Sequence, residues 1–264
     1  MTVLVGIVCE DGVVIGSDSV ETFGDGLALS TIEQQGAIKI NIIGNKIITA
    51  TTGSVGLAQR FNRIVNTMNG ANQLSRGDAV EQGTCIACSA IEEFRRTVSA
   101  RQNLPQFGWG LGALVALPVG QRAELFEFDP VQFHPERRGD TDTEGKDRTS
   151  RIVSMGSGRS IADPFLGFIR GIFWKDSRPR LNEAKLMVAW TLLHVISLNT
   201  GGVGGDVQLA TLQKEGTNWK AAKVEPDEIQ EQIGELESYL GNYRNELDRR
   251  IRSGTAPVPR PNSA

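Results

Sequence analysis

The chain has 264 residues, enough for one large domain or two ordinary ones. Its 28 Lys and Arg residues nearly offset 31 Asp and Glu residues, and the formal charge of -3 offers no footprint for nucleic acid or an anionic membrane surface. Nothing ahead of Thr2 reads as a signal peptide and no apolar run approaches the ~20 residues that span a bilayer, so a cytoplasmic protein binding neither membrane nor nucleic acid is expected.

From Val3 to Ile15, two apolar runs joined by a turn at Asp11-Gly12 predict a buried β-hairpin. Val20 to Gln35 contains Gly24, Asp25 and Gly26 with little periodicity, which predicts a loop. Ile38 to Ile43 and Lys46 to Thr52 flank Gly44-Asn45 and read as a second hairpin. Helical periodicity then runs from Gly53 to Asn69, with Phe61, Ile64, Val65 and Met68 on one broad apolar face, and again from about Asp78 to Ala100. Phe107 to Leu117 and Ala123 to Phe128 read as strands. Phe133 to Ser150 is dense in charge, Gly and Thr, which predicts a solvated, disordered loop.

Arg151 to Ser154 resumes strand character, and Gly156-Ser157-Gly158 opens a helix over Arg159 to Phe173. A further helix, Leu181 to Leu198, leads through the glycine-rich stretch Thr200 to Asp206 into a strand, Val207 to Leu212. Strand blocks and helix blocks in this order suit an α+β fold of two stacked sheets covered by helices on both outer faces. Past Trp219 the style changes. Pro226-Asp227 starts a helix whose Ile229, Ile233, Leu236, Leu240, Tyr243, Leu247 and Ile251 lie three and four apart, a narrow amphipathic stripe that needs a partner surface, on the same subunit or a neighbour. With Pro257, Pro259 and Pro261, the tail from Ser253 is expected to be disordered. The resulting division is a main domain over 1–222, a C-terminal helical extension over 223–252 and a tail over 253–264.

Cys9, Cys85 and Cys88 leave an odd count, which fits a reducing compartment better than a disulfide framework. Cys85 and Cys88 have the CxxC spacing, but a zinc site needs about four ligands and only His134 and His194 could be added, neither in a paired motif. Both cysteines are expected to pack as small apolar residues on one helix face, and no metal or cofactor is expected.

The chemistry concentrates at the start of the chain. Removal of Met1 would leave Thr2 with a free α-amino group, whose ordinary pKa of ~7.7–8.0 suits it to act as general base for the hydroxyl of the same residue. Behind Thr2 come Gly-Val-Val-x-x-x-Asp-Ser ending at Asp18-Ser19, Lys39-Ile40 before a strand, Thr-Gly-Ser at 52–54 before a helix, and the Gly-Ser-Gly that contains Ser157. This set resembles the proteasome β-type threonine peptidases, a branch of the N-terminal nucleophile (Ntn) hydrolases, closely over residues 2–60 and more loosely over 105–212.

The resemblance implies a four-layer αββα sandwich with Thr2 as nucleophile and Lys39 beside it, its charge favouring the neutral, proton-accepting amine. Asp18 would pair with Lys39, the Gly53 N–H would serve as oxyanion donor, and Ser157 would bond the Thr2 amino group. Thr22 would pair its backbone with an extended substrate. Ala37, Asn41, Thr51 and Val55 would wall the first side-chain pocket, favouring an uncharged side chain. Read singly, Asp18 is also a good turn residue, Lys39 a surface charge, and Ser157 a helix cap.

One departure stands out. Where the family carries an Asp and a Ser three apart before a Gly-Gly pair, this chain offers Thr200 and Val203 before Gly204-Gly205, or Ser197 and Thr200 before Gly201-Gly202, and neither register supplies the acid. The expected function is a threonine-type endopeptidase acting on peptides or proteins. A small-molecule Ntn amidohydrolase and an inactive proteasome-like assembly subunit are the alternatives. A homo-oligomer is expected, and, since the chain has no G-x-x-x-x-G-K-[ST] motif, a separate ATPase unfoldase would have to open any folded substrate.

Overall fold

The computed structural model describes residues 2–23, 31–75, 77–98, 110–141, 146–174, 177–198 and 202–253. Two compact units are present, Met1–Val224 and Glu225–Ala264.

In the first unit, the opening apolar runs form β1 (Val3–Val8) and β2 (Gly12–Ser17), buried along their whole length. Continuous rather than alternating apolar sequence suits them, because the sheet they belong to is covered on both faces. They pair antiparallel with each other and sit inside a five-stranded sheet of order β10-β1-β2-β11-β12, where β10 is Ile152–Gly156, β11 Gln208–Glu215 and β12 Asn218–Lys223. A second five-stranded sheet runs β5-β6-β7-β8-β9, from Ile40–Ile43, Ile47–Gly53, Leu111–Val119, Arg122–Phe128 and Pro135–Arg138.

Leu4, Ile15, Ile48, Leu114, Leu125 and Leu212 belong to one apolar cluster drawn from both sheets, which holds the two face to face. On the outer face of the second sheet, α1 (Val55–Gly70) and α2 (Ala79–Val98) cover a second cluster that includes Phe61, Phe94, Phe126 and Phe128. On the first sheet, α3 (Arg159–Phe173) and α4 (Leu181–Ser197) pack against β10, β1 and β2. The four layers are the α+β sandwich that the order of blocks predicts.

Several segments differ from their sequence reading. Part of the expected loop over Val20–Gln35 is a two-stranded ribbon, β3 (Val20–Phe23) with β4 (Thr31–Gln35), whose register shifts between Glu21 and Thr22. Its β-branched Val20, Thr22, Thr31 and Ile32 favour extended backbone despite the glycines, and 24–30 lie outside the described residues. The strand expected from Phe107 begins at Leu111, with 101–109 also outside the description.

The expectation of a solvated loop over Phe133–Ser150 is corrected. Phe133 is fully buried, its ring edge-on to Phe61 and Phe94, and β9 follows directly. Phe133 adopts φ 61°, and the Asp129 carboxylate fixes this turn by accepting N–H bonds from Val131, Gln132 and His134. These bonds draw the Asp129 pKa below the usual carboxylate value in spite of its partial burial. The charge that suggested solvation is spent in ion pairs, Arg137 with Glu124 and Asp140, Arg138 with Glu127. Residues 142–145 are outside the description.

Cys85 and Cys88 are likewise corrected: both are exposed on α2, because the buried face of that helix is taken by Ile86, Ala87, Ala90 and Phe94. Among the described residues no helix is long and apolar enough to cross a membrane.

The second unit is dominated by α5, Pro226–Arg252. Pro226 and two acids, Asp227 and Glu228, occupy its first turn and Arg249, Arg250 and Arg252 its last, each sign placed to complement the helix dipole. The tail beyond 253 lies outside the described residues.

Candidate active site

Thr2 stands at the head of β1, and the pairing of that strand determines its neighbours. Val3 lies opposite Gly156 of β10 on one side, while Leu4 lies opposite Ser17 of β2 on the other. The ends of β10 and β2 therefore deliver Ser157 and Asp18 to either flank of Thr2. The Thr2 nitrogen donates to Ser157 Oγ at 3.2 Å, and the Ser157 hydroxyl donates to the Thr2 carbonyl oxygen at 3.4 Å. Gly158 N–H reaches the same carbonyl at 3.3 Å. Ser157 does not cap α3, whose N-cap is Gly158 with no side-chain cap bond, so its hydroxyl is directed at Thr2.

On the opposite flank, Asp18 is fully buried and Lys39 is 5 % exposed, and Lys39 Nζ meets Asp18 Oδ1 at 2.8 Å. That oxygen also accepts Val3 N–H at 3.0 Å, while Oδ2 accepts the N–H groups of Val20 at 3.4 Å and Gly204 at 3.3 Å. The Asp18 carboxylate thus accepts from one ammonium and three amide donors, which fixes its position. Burial holds the Lys39 pKa below the ordinary lysine value, and the Asp18 charge and hydrogen bond, followed by the charge of Glu21, oppose that fall.

The main chain of Lys39 is positioned by a residue the sequence reading did not single out. Gln208, at the start of β11, accepts Lys39 N–H through Oε1 at 3.2 Å and donates from Nε2 to the Ala37 carbonyl at 2.7 Å. Ala37 N–H in turn donates to Ser19 O at 2.8 Å. A glutamine beginning a strand carries no local signal for this clamp, which depends on a partner about 170 positions away.

Thr2, Lys39, Gly53 and Ser157 all line one cavity of about 710 Å³. Of the four expected wall residues, Asn41, Thr51 and Val55 line it, whereas Ala37 is buried and is not part of the lining. Thr22 lies in β3 opposite Ile32, and its side chain is outside the description. Glu21, Ile38, Gln59 and Asn62 also line the cavity and were not anticipated. The Thr49 hydroxyl donates to Asn62 Oδ1 at 2.7 Å, which fixes the orientation of that amide. Gly53 ends β6 at φ 100°, a conformation closed to other residues, and a Cβ there would overlap the Gly110 carbonyl oxygen. The tight turn brings the Gly53 backbone to the cavity wall immediately ahead of α1.

Where the sequence lacks an acid, the main chain approaches instead. Val203 is buried, Gly204 N–H donates to Asp18, Ser19 N–H donates to Gly204 O at 3.1 Å, and Asp206 N–H donates to Ser19 Oγ at 2.7 Å. Thr200 is outside the described residues. The arrangement gathers a hydroxyl, the nitrogen of the same residue, a buried cation and a backbone turn around one cleft, which are the parts needed for nucleophilic attack on a carbonyl.

Comparison with known proteins gives a concordant result. The family model described as "Proteasome subunit" matches residues 2–131. A proteasome subunit beta of Methanococcus aeolicus is 24% identical over 240 residues, covering 89% of this chain and 92% of the relative. That of Methanothrix thermoacetophila is 32% identical over 161 residues, covering 61% and 66%. That of Methanosarcina barkeri is 34% identical over 79 residues, covering 30% and 35%.

Proposed function

The chain belongs to the proteasome subunit family, of the β type, and on that premise we propose that it is a threonine-type endopeptidase whose nucleophile is Thr2, exposed by loss of Met1. The observation that supports this reading most directly is the bond from the Thr2 nitrogen to Ser157 Oγ at 3.2 Å, at the wall of a cavity that also holds Lys39.

In the proposed cycle the Thr2 Oγ attacks the scissile carbonyl carbon while its proton passes to the Thr2 amine, directly or through a water. The Gly53 N–H stabilises the oxyanion. Collapse breaks the C–N bond, the leaving amine takes the proton back, and an ester remains on Thr2 until water hydrolyses it. Lys39 keeps the amine in its proton-accepting form by charge repulsion, Asp18 holds Lys39 charged, and Ser157 orients the amine. Thr22, Asn41, Thr51 and Val55 contact the substrate, and Ala37 supports that wall from behind. The protein is a cytoplasmic homo-oligomer that depends on a separate ATPase for folded substrates.

The test is an intact N-terminal mass together with a peptide epoxyketone, which bridges the hydroxyl and amine of one residue. Loss of Met1 and labelling confined to Thr2, abolished in Thr2→Ala, is the expected outcome. Retained Met1, or fluorogenic peptide cleavage that persists in Thr2→Ala, would end the reading.

A further inference from the structure

The apolar residues of α5 follow an alternating spacing of four and three: Ile229, Ile233, Leu236, Leu240, Tyr243 and Leu247. A repeat averaging about 3.5 residues is the signature of helices that pair along a seam, narrower than the face with which a helix covers a sheet. In the second half of α5 this seam is open, with Leu240, Tyr243 and Leu247 exposed by 38%, 63% and 39%. Gly234 and Gly241 lie off the seam and each weakens the helix by up to about 1 kcal/mol relative to alanine, so propensity alone does not hold this half of α5.

The charges beside the seam distinguish the directions in which a second copy could bind. In a parallel pair the flanking positions that meet would be Gln232 with Glu237, Tyr239 with Arg244, and Glu246 with Ile251, none of which joins opposite charges. In an antiparallel pair centred between Gly241 and Asn242, Leu240 meets Tyr243 of the partner subunit and Leu236 meets Leu247 of the partner subunit, each twice by the two-fold symmetry. Glu237 then meets Arg244 of the partner subunit, also twice. Within the helix Glu246 pairs with Arg249 and Arg250, whereas Glu237 and Arg244 make no ion pair among the described residues. Arg250 stands where the next seam residue would fall, which confines the contact to Leu236–Leu247.

We propose that the exposed half of α5 is a docking surface for α5 of a second copy of this chain, antiparallel and in this register. The catalytically blocked Thr2→Ala protein pairs in the same way. The surface therefore joins copies by a contact that the sandwich does not supply.

The test uses the full-length chain with the exposed thiols removed (Cys85→Ser, Cys88→Ser), carrying either Leu240→Cys or Tyr243→Cys. Under mild oxidation a mixture of the two chains should give a disulfide-linked heterodimer, at least about tenfold above the dimer formed by either chain alone. Adding Glu237→Arg to both chains should lower that yield about tenfold, and adding Arg244→Glu as well should restore it. Self-linking of the Leu240→Cys chain would mean a parallel pair, and no linking in any mixture would mean that the stripe is covered by something other than a second α5. Either result overturns the proposal, as does a charge swap that fails to restore the link.

Discussion

Thr2, Asp18 and Ser157 lie at or just past the ends of strands of the first sheet; Thr2 and Asp18 are buried, Ser157 is exposed, and all three are held by hydrogen bonds. Asn41 and Thr51, from the second sheet, and Val55, from the helix that follows it, are partly or well exposed and face the same cavity. The cleft thus has one wall tied together by hydrogen bonds and an ion pair and one whose side chains border the cavity partly or well exposed. Removing the ion-paired Asp18 from the first wall should disturb rate and stability together and removing the Thr2 hydroxyl should disturb rate alone, whereas changes to the second wall should alter which substrate is preferred. Lys39, just ahead of β5, is the point where the second sheet contributes to the first wall.

The most severe test of this contrast is Thr2→Ala. Turnover of every substrate should fall at least ~10³-fold, with an unfolding midpoint close to that of the unaltered protein. If one peptide were spared, the reacting group would lie elsewhere.

Next in size is Asp18→Ala, which takes from the buried Lys39 ammonium its buried carboxylate partner. A loss of about 3–5 kcal/mol in urea unfolding, together with loss of activity, is expected. A change of less than about 1 kcal/mol would mean that the ion pair is not buried in solution.

A smaller effect concerns pH. The folded-state pKa of Lys39 lies below its unfolded value, so between the two the unfolded chain binds more protons. Stability contributed by this group therefore rises with pH across that window and levels off above the unfolded value near ~10.4. Urea unfolding at a series of alkaline pH values should show the rise in the unaltered protein and its absence in Lys39→Met. Parallel profiles would refute the shift.

The mildest change is Asn41→Leu on the open wall. It should shift the preference between polar and apolar uncharged side chains about five- to tenfold, in kcat/KM across a peptide library, and leave the unfolding midpoint almost unchanged. An equal loss for all substrates would erase the distinction between the walls.

The first wall was legible in the sequence largely because its parts sit in short local patterns: Thr2 behind Met1, Asp18 after Gly12-Val13-Val14, Lys39 before a strand, and Ser157 between glycines. What escaped depends on distant pairing. Gln208 clamps residues 37–39 only because β11 lies beside β2, and Asn62 enters the cavity only because α1 is rotated so that Phe61 and Val65 face inward. Phe133 was hidden for another reason. Surrounding charge outweighed one aromatic in a composition argument, although that charge is consumed by Glu124 and Glu127 on the neighbouring strand. The seam of α5 was visible as spacing, but its direction emerges only when the flanking charges are paired across two copies.

The loop around Gly204 has a further consequence for how this site can change over time. Its support of Asp18 comes from a peptide N–H, and a peptide N–H is the same whichever amino acid carries it. These bonds therefore place no demand on the side chain at Asp206, whereas the path of the chain is constrained and Val203 is buried. Gly205 carries the constraint: it sits at φ 75°, and a Cβ added there would lie 2.5 Å from Ser19 Oγ and 3.1 Å from Val20 Cγ2. Heritable information about the site is stored in this loop as a route, guarded by Gly202 at φ 100° and Gly205, so an alignment that scores only matching side chains would undervalue the segment.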